Sequence, residues 1–204
     1  MIRISGILLA AGESKRMGKP KLLLNLGKSN IINTTIENLL KSKIFELILV
    51  LGHEAQKLER SLSSQDKRIK LVTNKNYKEG MSTSIKCGVL TASKDSEAFL
   101  IALGDQPLIS PKIINRLIEK YQTSGLGIVT VMHQSLRGHP VIISKKYVQE
   151  MLSLNGDIGA RDLLKKHLDD TASINIESSE EFFDIDRTQD YEELKKIYDR
   201  IIPN

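Results

Sequence analysis

The chain has 204 residues, 40% of them hydrophobic, which is enough to bury a core and excludes a disordered polypeptide. Its +5 formal charge suits a phosphate-rich ligand or a lysine-studded surface, while 4% aromatics and no Trp argue against a base-stacking nucleic-acid surface. A single cysteine, Cys87, excludes an internal disulfide, and no apolar run reaches membrane-spanning length.

A nearly continuous apolar run at residues 4–9 predicts a strand buried on both faces. No basic leader precedes it, as a signal peptide would require, so a cytoplasmic protein with no membrane partner is expected. After a polar loop, Ile32, Ile36, Leu39 and Leu40 recur at helical spacing. Residues 47–51 form a second buried strand, 54–62 a helix and 69–73 a third strand. Ser82 is placed to cap a helix running to Leu90. Residues 99–103 predict a fourth strand leading into Gly104-Asp105-Gln106-Pro107. Ser110 caps the next helix, with Pro111 at its first position and Ile114, Leu117, Ile118 and Tyr121 on one face. Strands follow at 127–132 and 140–143, helices near 145–152 and 158–167, and a last strand at 171–176. The final helix starts near Thr188 and carries Tyr191, Leu194, Tyr198 and Ile201. With no linker or repeat, residues 1–204 are expected to form one domain, a three-layer α/β/α sandwich around a mostly parallel, Rossmann-like sheet. Ligands of such sheets lie beyond the C-terminal strand ends, which selects the loops after Leu9, Thr73 and Leu103.

The first of these loops reads Leu9-Ala10-Ala11-Gly12-Glu13-Ser14-Lys15-Arg16-Met17-Gly18-Lys19-Pro20-Lys21. Gly12 lets backbone N–H groups approach an anion, and Lys15, Arg16, Lys19 and Lys21 suit a triphosphate. A solvated turn with its charges facing water is the plain alternative, and the position after the first strand favours function. A Walker A loop is excluded: five residues separate Gly12 from Gly18, and Pro20 follows Lys19 where Ser or Thr is needed. No G-x-G-x-x-G fingerprint is present either.

Asp105 ends the fourth strand, where a carboxylate faces the ligand edge; a turn-forming Asp is the equal alternative. Asp184 and Asp186 alternate onto one side of a predicted strand, or one of them caps the last helix. Gly80 allows close backbone approach in Glu79-Gly80-Met81-Ser82-Thr83-Ser84, which local spacing explains best as a helix cap. His53, His133, His139 and His167 are scattered without zinc spacing.

The 9–21 string resembles the L-A-A-G-x-S-x-R-M-G-x-x-K signature of nucleotidyltransferases with the molybdenum-cofactor type of fold. The resemblance extends from Ile7 to Tyr191 and includes Leu103-Gly104-Asp105-Gln106-Pro107 and Asp184-Ile185-Asp186 with Thr188, Asp190 and Tyr191. Gln189 stands where the family often has Pro. The resemblance implies that Leu9, Ala10, Ala11, Gly12 and Ser14, with Gly80 and Ser84, bind the nucleotide. Arg16 and Lys21 then hold the phosphates and stabilise the developing charge, and Asp105 and Asp186 hold Mg²⁺, Asp184 being the weaker candidate. Arg137-Gly138-His139-Pro140-Val141 and Gly156-Asp157-Ile158-Gly159-Ala160-Arg161 resemble segments bordering the second substrate, which selects Arg137, His139 and Gly156.

The Gly-Asp-x-Gly-Ala-Arg segment is similar to the cytidylyl-transferring branch, and Ala11 stands where the guanylyl-transferring branch tends to have Gly. The implied reaction is CMP transfer from CTP to the terminal phosphate of molybdopterin cofactor, with pyrophosphate release and a molybdenum hydroxylase as the receiver. The alternatives are the same chemistry with GTP or another phosphorylated acceptor, or a nonenzymatic chaperone of the molybdenum cofactor.

Overall fold

The computed structural model describes residues 2–157 and 159–201. In chain order the elements are β1 (Ile4–Ala10), the two-residue strands β2 (Asn25–Leu26) and β3 (Ser29–Asn30), α1 (Ile31–Leu40) and β4 (Glu46–Leu51). There follow α2 (Ala55–Arg60), β5 (Ile69–Thr73), α3 (Met81–Thr91), β6 (Ala98–Leu103), α4 (Pro111–Ser124), β7 (Ile128–His133) and β8 (Leu136–Ser144). The chain closes with α5 (Val148–Ser153), α6 (Arg161–Lys166), β9 (Thr171–Asn175) and α7 (Thr188–Ile201).

Seven strands form one sheet in the order β5-β4-β1-β6-β8-β7-β9. Every neighbouring pair is parallel except those made by β8, which runs antiparallel to β6 and β7. The mostly parallel sheet expected from alternating β and α signals is therefore present. Strand alternation sorts the core into two layers. Leu47, Leu49 and Leu51 face the side covered by α1, α2, α4 and α7, whereas Ile48 and Val50 face α3, α5 and α6. Both β1 and β4 are buried at every position, which is why, apart from Ser5, Gly6 and Glu46, they read as apolar runs. Each Leu, Ile or Val among them contributes roughly 1.5–3 kcal/mol of burial.

Local capping fixes several helix starts. Asn30 accepts a hydrogen bond from the Asn33 N–H to begin α1, and Ser110 accepts from Ile113 N–H ahead of Pro111 in α4. Gly125 ends α4 in the left-handed region, at φ 69°. Among the described residues no helix is long and apolar enough to cross a membrane.

Four expectations need correction. Ser82 is not a cap: α3 starts at Met81, one residue earlier, and the Ser82 hydroxyl is buried without a partner among the described residues. Strand β8 begins at Leu136, because Gln134, at φ 53°, and Ser135 turn the chain back along β7. Residues 184–186 lie in an irregular segment rather than a strand, although Ile185 is fully buried. Helix α6 starts at Arg161; Ile158, where the helix was expected to start, lies outside the described residues. Cys87 is half-buried on α3, and burial pushes its thiol up, consistent with a packing role.

Candidate active site

The loops after β1, β5 and β6 converge because their strands are close neighbours in the sheet. Backbone bonds tie them together: Gly104 N–H donates to Leu9 O at 3.0 Å, His53 N–H to Ala11 O at 3.1 Å, and Asn74 N–H to Leu51 O at 2.7 Å. The first loop then folds on itself. Ser14 sits in the left-handed region at φ 52°; its carbonyl accepts from Met17 N–H at 3.0 Å, and its hydroxyl accepts from Lys21 N–H at 3.3 Å. Lys21 is thereby returned to the mouth of the cleft.

A cleft of about 210 Å³ opens where these loops meet. Leu9, Ala10, Ala11, Gly12, Ser14 and Lys21 line it from the first loop. Gly80 and Ser84 line it from the middle loop and α3, and Asp105 from the loop after β6. Leu22, Tyr77, Met81, Leu103 and Asp157 complete the wall. A wider, more polar opening of about 520 Å³ continues from it, sharing Gly12, Ser14, Lys21, Tyr77, Gly80 and Asp157. It adds Glu13, Lys15, Arg16, Lys78, Glu79 and Asp186. An apolar inner end beside a charged outer end, where Lys15, Arg16, Lys21 and Lys78 stand among Glu13, Glu79, Asp157 and Asp186, suits a ligand with an apolar body and a charged tail.

Beyond its chain neighbours, Gly12 has no atom of the described residues within 4 Å of where a Cβ would stand, so its missing side chain leaves open space in the cleft. Nothing in the fold requires glycine there.

The charges interlock across the mouth. Lys21 Nζ lies 2.5 Å from Asp105 Oδ2, 2.6 Å from the Ile185 carbonyl and 3.6 Å from Asp186 Oδ1. Arg16 pairs with the other oxygen of Asp186. Asp190 accepts from the N–H groups of Asp186 (2.9 Å) and Arg187 (2.6 Å), which fixes the backbone carrying Asp186. Asp184 joins the same field: desolvation first, then repulsion from Asp105 and Asp186, raises its carboxyl above the usual range.

The N-terminus of α3 is already occupied. Ser82 N–H donates to Gly156 O and Met81 N–H to Asp157 Oδ1, both at 3.1 Å. These amides are consequently spent on the protein rather than free for an anion. Ser84 accepts from Asn74 Nδ2 at 3.0 Å, so its hydroxyl is oriented from beneath.

With this geometry in place, the sequence profile described as the MobA-like NTP transferase domain matches residues 6–171. The chain belongs to the MobA-like NTP transferase family. It is a nucleotidyltransferase, and its sheet and flanking helices are those of that fold. It is 28% identical to the molybdenum cofactor cytidylyltransferase of Escherichia coli strain K12, over 98% of this chain and 100% of that protein. It is 31% identical to the nicotine blue oxidoreductase of Paenarthrobacter nicotinovorans, over 80% of this chain and 82% of the other. Among solved structures, a nucleotidyl transferase from Methanothermobacter thermautotroptrophicus superposes with a TM-score of 0.84 at 27% identity, covering 98% of this chain and 99% of the other.

Within this MobA-like fold, the remaining residues singled out from sequence lie apart from the cleft. Arg137 is exposed on β8 opposite Met132, and His139, on the same strand, places Nδ1 3.3 Å from the Ile101 carbonyl. Burial pushes the His139 imidazole below its ordinary value, against the Ile101 carbonyl and Asp105, so it is neutral at pH 7. Neither residue lines either opening. Gly156 sits behind Asp157, under Gly80. Lys19 leaves the phosphate side altogether, standing 5.8 Å from the centre of the Tyr191 ring. Sequence reasoning missed Tyr77 and Asp157 as cleft residues. A single tyrosine carries no spacing signal, and Asp157 reaches α3 only through the fold.

Proposed function

We propose that this MobA-like protein transfers CMP from CTP to the terminal phosphate of molybdopterin cofactor and releases pyrophosphate. The observation that carries the reading is the meeting of Arg16 and Lys21 with Asp105 and Asp186 at the mouth of one cleft. Similarity to the E. coli cytidylyltransferase over its full length and Ala11 in the first loop support CTP and the molybdopterin acceptor.

In this reading Leu9, Ala10, Ala11, Gly12, Gly80 and Ser84 hold the nucleoside, while Ser14, Arg16 and Lys21 hold the phosphates. An oxygen of the acceptor phosphate attacks the α-phosphorus, and the bond to pyrophosphate breaks. The attacking phosphate is already anionic, so the chain need only align the reactants and compensate charge. Asp105 and Asp186 fit a divalent cation, Mg²⁺, because an ammonium already stands between their oxygens and two carboxylates plus ligand oxygens suit that ion. When bound, the ion neutralises phosphate charge. Arg137, His139 and Gly156 belong to the acceptor side, with a molybdenum hydroxylase receiving the product. Contacts such as Tyr191 OH to Asn25 O at 2.8 Å, joining α7 to the first loop's exit, support one domain over residues 1–204. We assign it to the cytoplasm.

The test is incubation with each NTP, Mg²⁺ and molybdopterin cofactor, with mass detection of the dinucleotide. CTP should give product, and Asp105→Ala or Lys21→Ala should slow it on the order of 10²-fold or more. Wild-type turnover in both variants would overturn the site. Dinucleotide formed only from GTP would move the reading to guanylyl transfer, and cofactor binding without pyrophosphate release to a chaperone.

A further inference from the structure

We infer that Lys21 is the metal site's own counter-ion: in the nucleotide-free protein its ammonium holds Asp105 and Asp186 together, and a divalent cation must displace it. The inference rests on the reading of these two aspartates as metal ligands. All three partners of Lys21 Nζ are oxygens, from Asp105, Ile185 and Asp186. That is the donor set a hard cation takes. Ile185 is fully buried, so its carbonyl is a fixed point rather than a chance neighbour. The side chains of Lys21 and Asp105 are only 15% and 18% exposed, so solvent screens this pair weakly. Arg16 meanwhile occupies the outer oxygen of Asp186.

A dication and an ammonium cannot share the same carboxylate oxygens without strong repulsion. Lys21 therefore leaves when the cation arrives. Its backbone N–H stays tied to Ser14 Oγ, and its side chain lines both openings, so the freed ammonium remains beside the 12–14 segment. There it meets the polyphosphate. The aspartates exchange an ammonium for a metal ion as the ammonium exchanges a carboxylate for a phosphate. Cation and polyphosphate each free the other's ligand, so each favours the other's binding, reciprocally. Lys21 is thus a positioning residue for the two aspartates as well as a phosphate ligand.

The experiment measures Mn²⁺ binding to the nucleotide-free full chain from the EPR signal of the free ion. Removing the competing charge in Lys21→Met should tighten Mn²⁺ binding about tenfold, although the same variant loses transfer. Lys21→Arg keeps a cation and should bind no more tightly than wild type. Asp105→Ala should abolish binding. Affinity in Lys21→Met equal to or weaker than wild type overturns the inference while leaving the metal ligands in place. Binding that survives Asp105→Ala overturns the ligand assignment and the inference with it. Should Lys21→Met lack the native circular dichroism spectrum, the wild-type protein decides. Mn²⁺ alone should speed reductive methylation of Lys21, read by peptide mass spectrometry; an unchanged or slower rate overturns the exchange.

Discussion

Gly80 and Gly156 touch backbone to backbone: a Cβ on Gly80 would stand 2.4 Å from the Gly156 carbonyl carbon and 2.5 Å from its oxygen. Gly80 also holds φ at 110°, where an L side chain is strained. The contact seats the 156–157 turn on the first N–H groups of α3 and so ties a segment expected to border the acceptor to the wall of the nucleotide cleft. Gly80→Ala should therefore cost about 1–3 kcal/mol of stability and raise the KM for NTP. Thermal unfolding and steady-state kinetics check it together; an unchanged melting temperature would contradict the close approach.

Gly12 makes the opposite prediction. Its φ is not in the left-handed range, and no atom waits within 4 Å of a Cβ. Gly12→Ala should leave stability within about 0.5 kcal/mol of wild type, because nothing in the fold must move. The added methyl enters the cleft instead, where it crowds the ligand. The expected outcome is a normal melting curve with a KM for NTP raised roughly tenfold, about 1.4 kcal/mol of lost binding. A destabilised Gly12→Ala would mean that the glycine serves the loop rather than the nucleotide.

Tyr77 is the only aromatic residue lining either opening among the described residues. Gly52 lets it come close: a Cβ there would lie 2.8 Å from Tyr77 Cβ and 2.6 Å from Ala11 Cβ. The ring is backed by His53 at 6.0 Å between centroids, and its hydroxyl reaches His53 Nδ1 only at 3.5 Å, the limit of a hydrogen bond. Its contribution to ligand binding should come from the ring face. Tyr77→Ala should lose about 1–3 kcal/mol of nucleotide binding, read as a higher Kd in calorimetry. Tyr77→Phe should stay near wild type; a loss as large as that of Tyr77→Ala would assign the role to the hydroxyl.

These contrasts explain what the sequence made legible. Strands β1, β4 and β6 announced themselves because burial on both faces demands nearly continuous apolar runs. The C-terminal ends of β1, β5 and β6 then located the loops that line the cleft. The start of α3 was misread because its cap is not local: Asp157 reaches Met81 N–H from 76 residues away. Ile185 looked like a strand residue between two outward aspartates. Its burial comes with an irregular segment whose carbonyl accepts from Lys21, an interaction no periodicity encodes. The first half of β8 was hidden because Arg137, Gly138 and His139 break the apolar pattern that Val141, Ile142 and Ile143 keep.

Acid stability depends on a buried carboxylate remote from the cleft chemistry. Glu46 opens β4 almost fully buried, with Oε1 accepting from Ser5 Oγ and Ser93 N–H, both at 2.7 Å, and Oε2 2.6 Å from Lys70 Nζ. Burial pushes its carboxyl up, but Lys70, Ser93 N–H and Ser5 together outweigh burial and hold it below its ordinary 4.5. The unfolded chain thus binds the proton more readily than the folded one. The resulting stability is fully present above about pH 4.5 and is lost as pH falls through the lower folded value. Glu46→Gln keeps the shape, removes the charge and sets an amide donor against donors. It should cost about 1–3 kcal/mol at pH 7, mostly through Ser93 and Ser5, since Lys70 is half exposed and well screened. Urea unfolding from pH 7 down to pH 3.5 should show the gap between wild type and variant narrowing below pH 4.5, as the wild-type carboxylate protonates; a gap that stays constant across that range would mean that Glu46 acts through its packing and not through its charge.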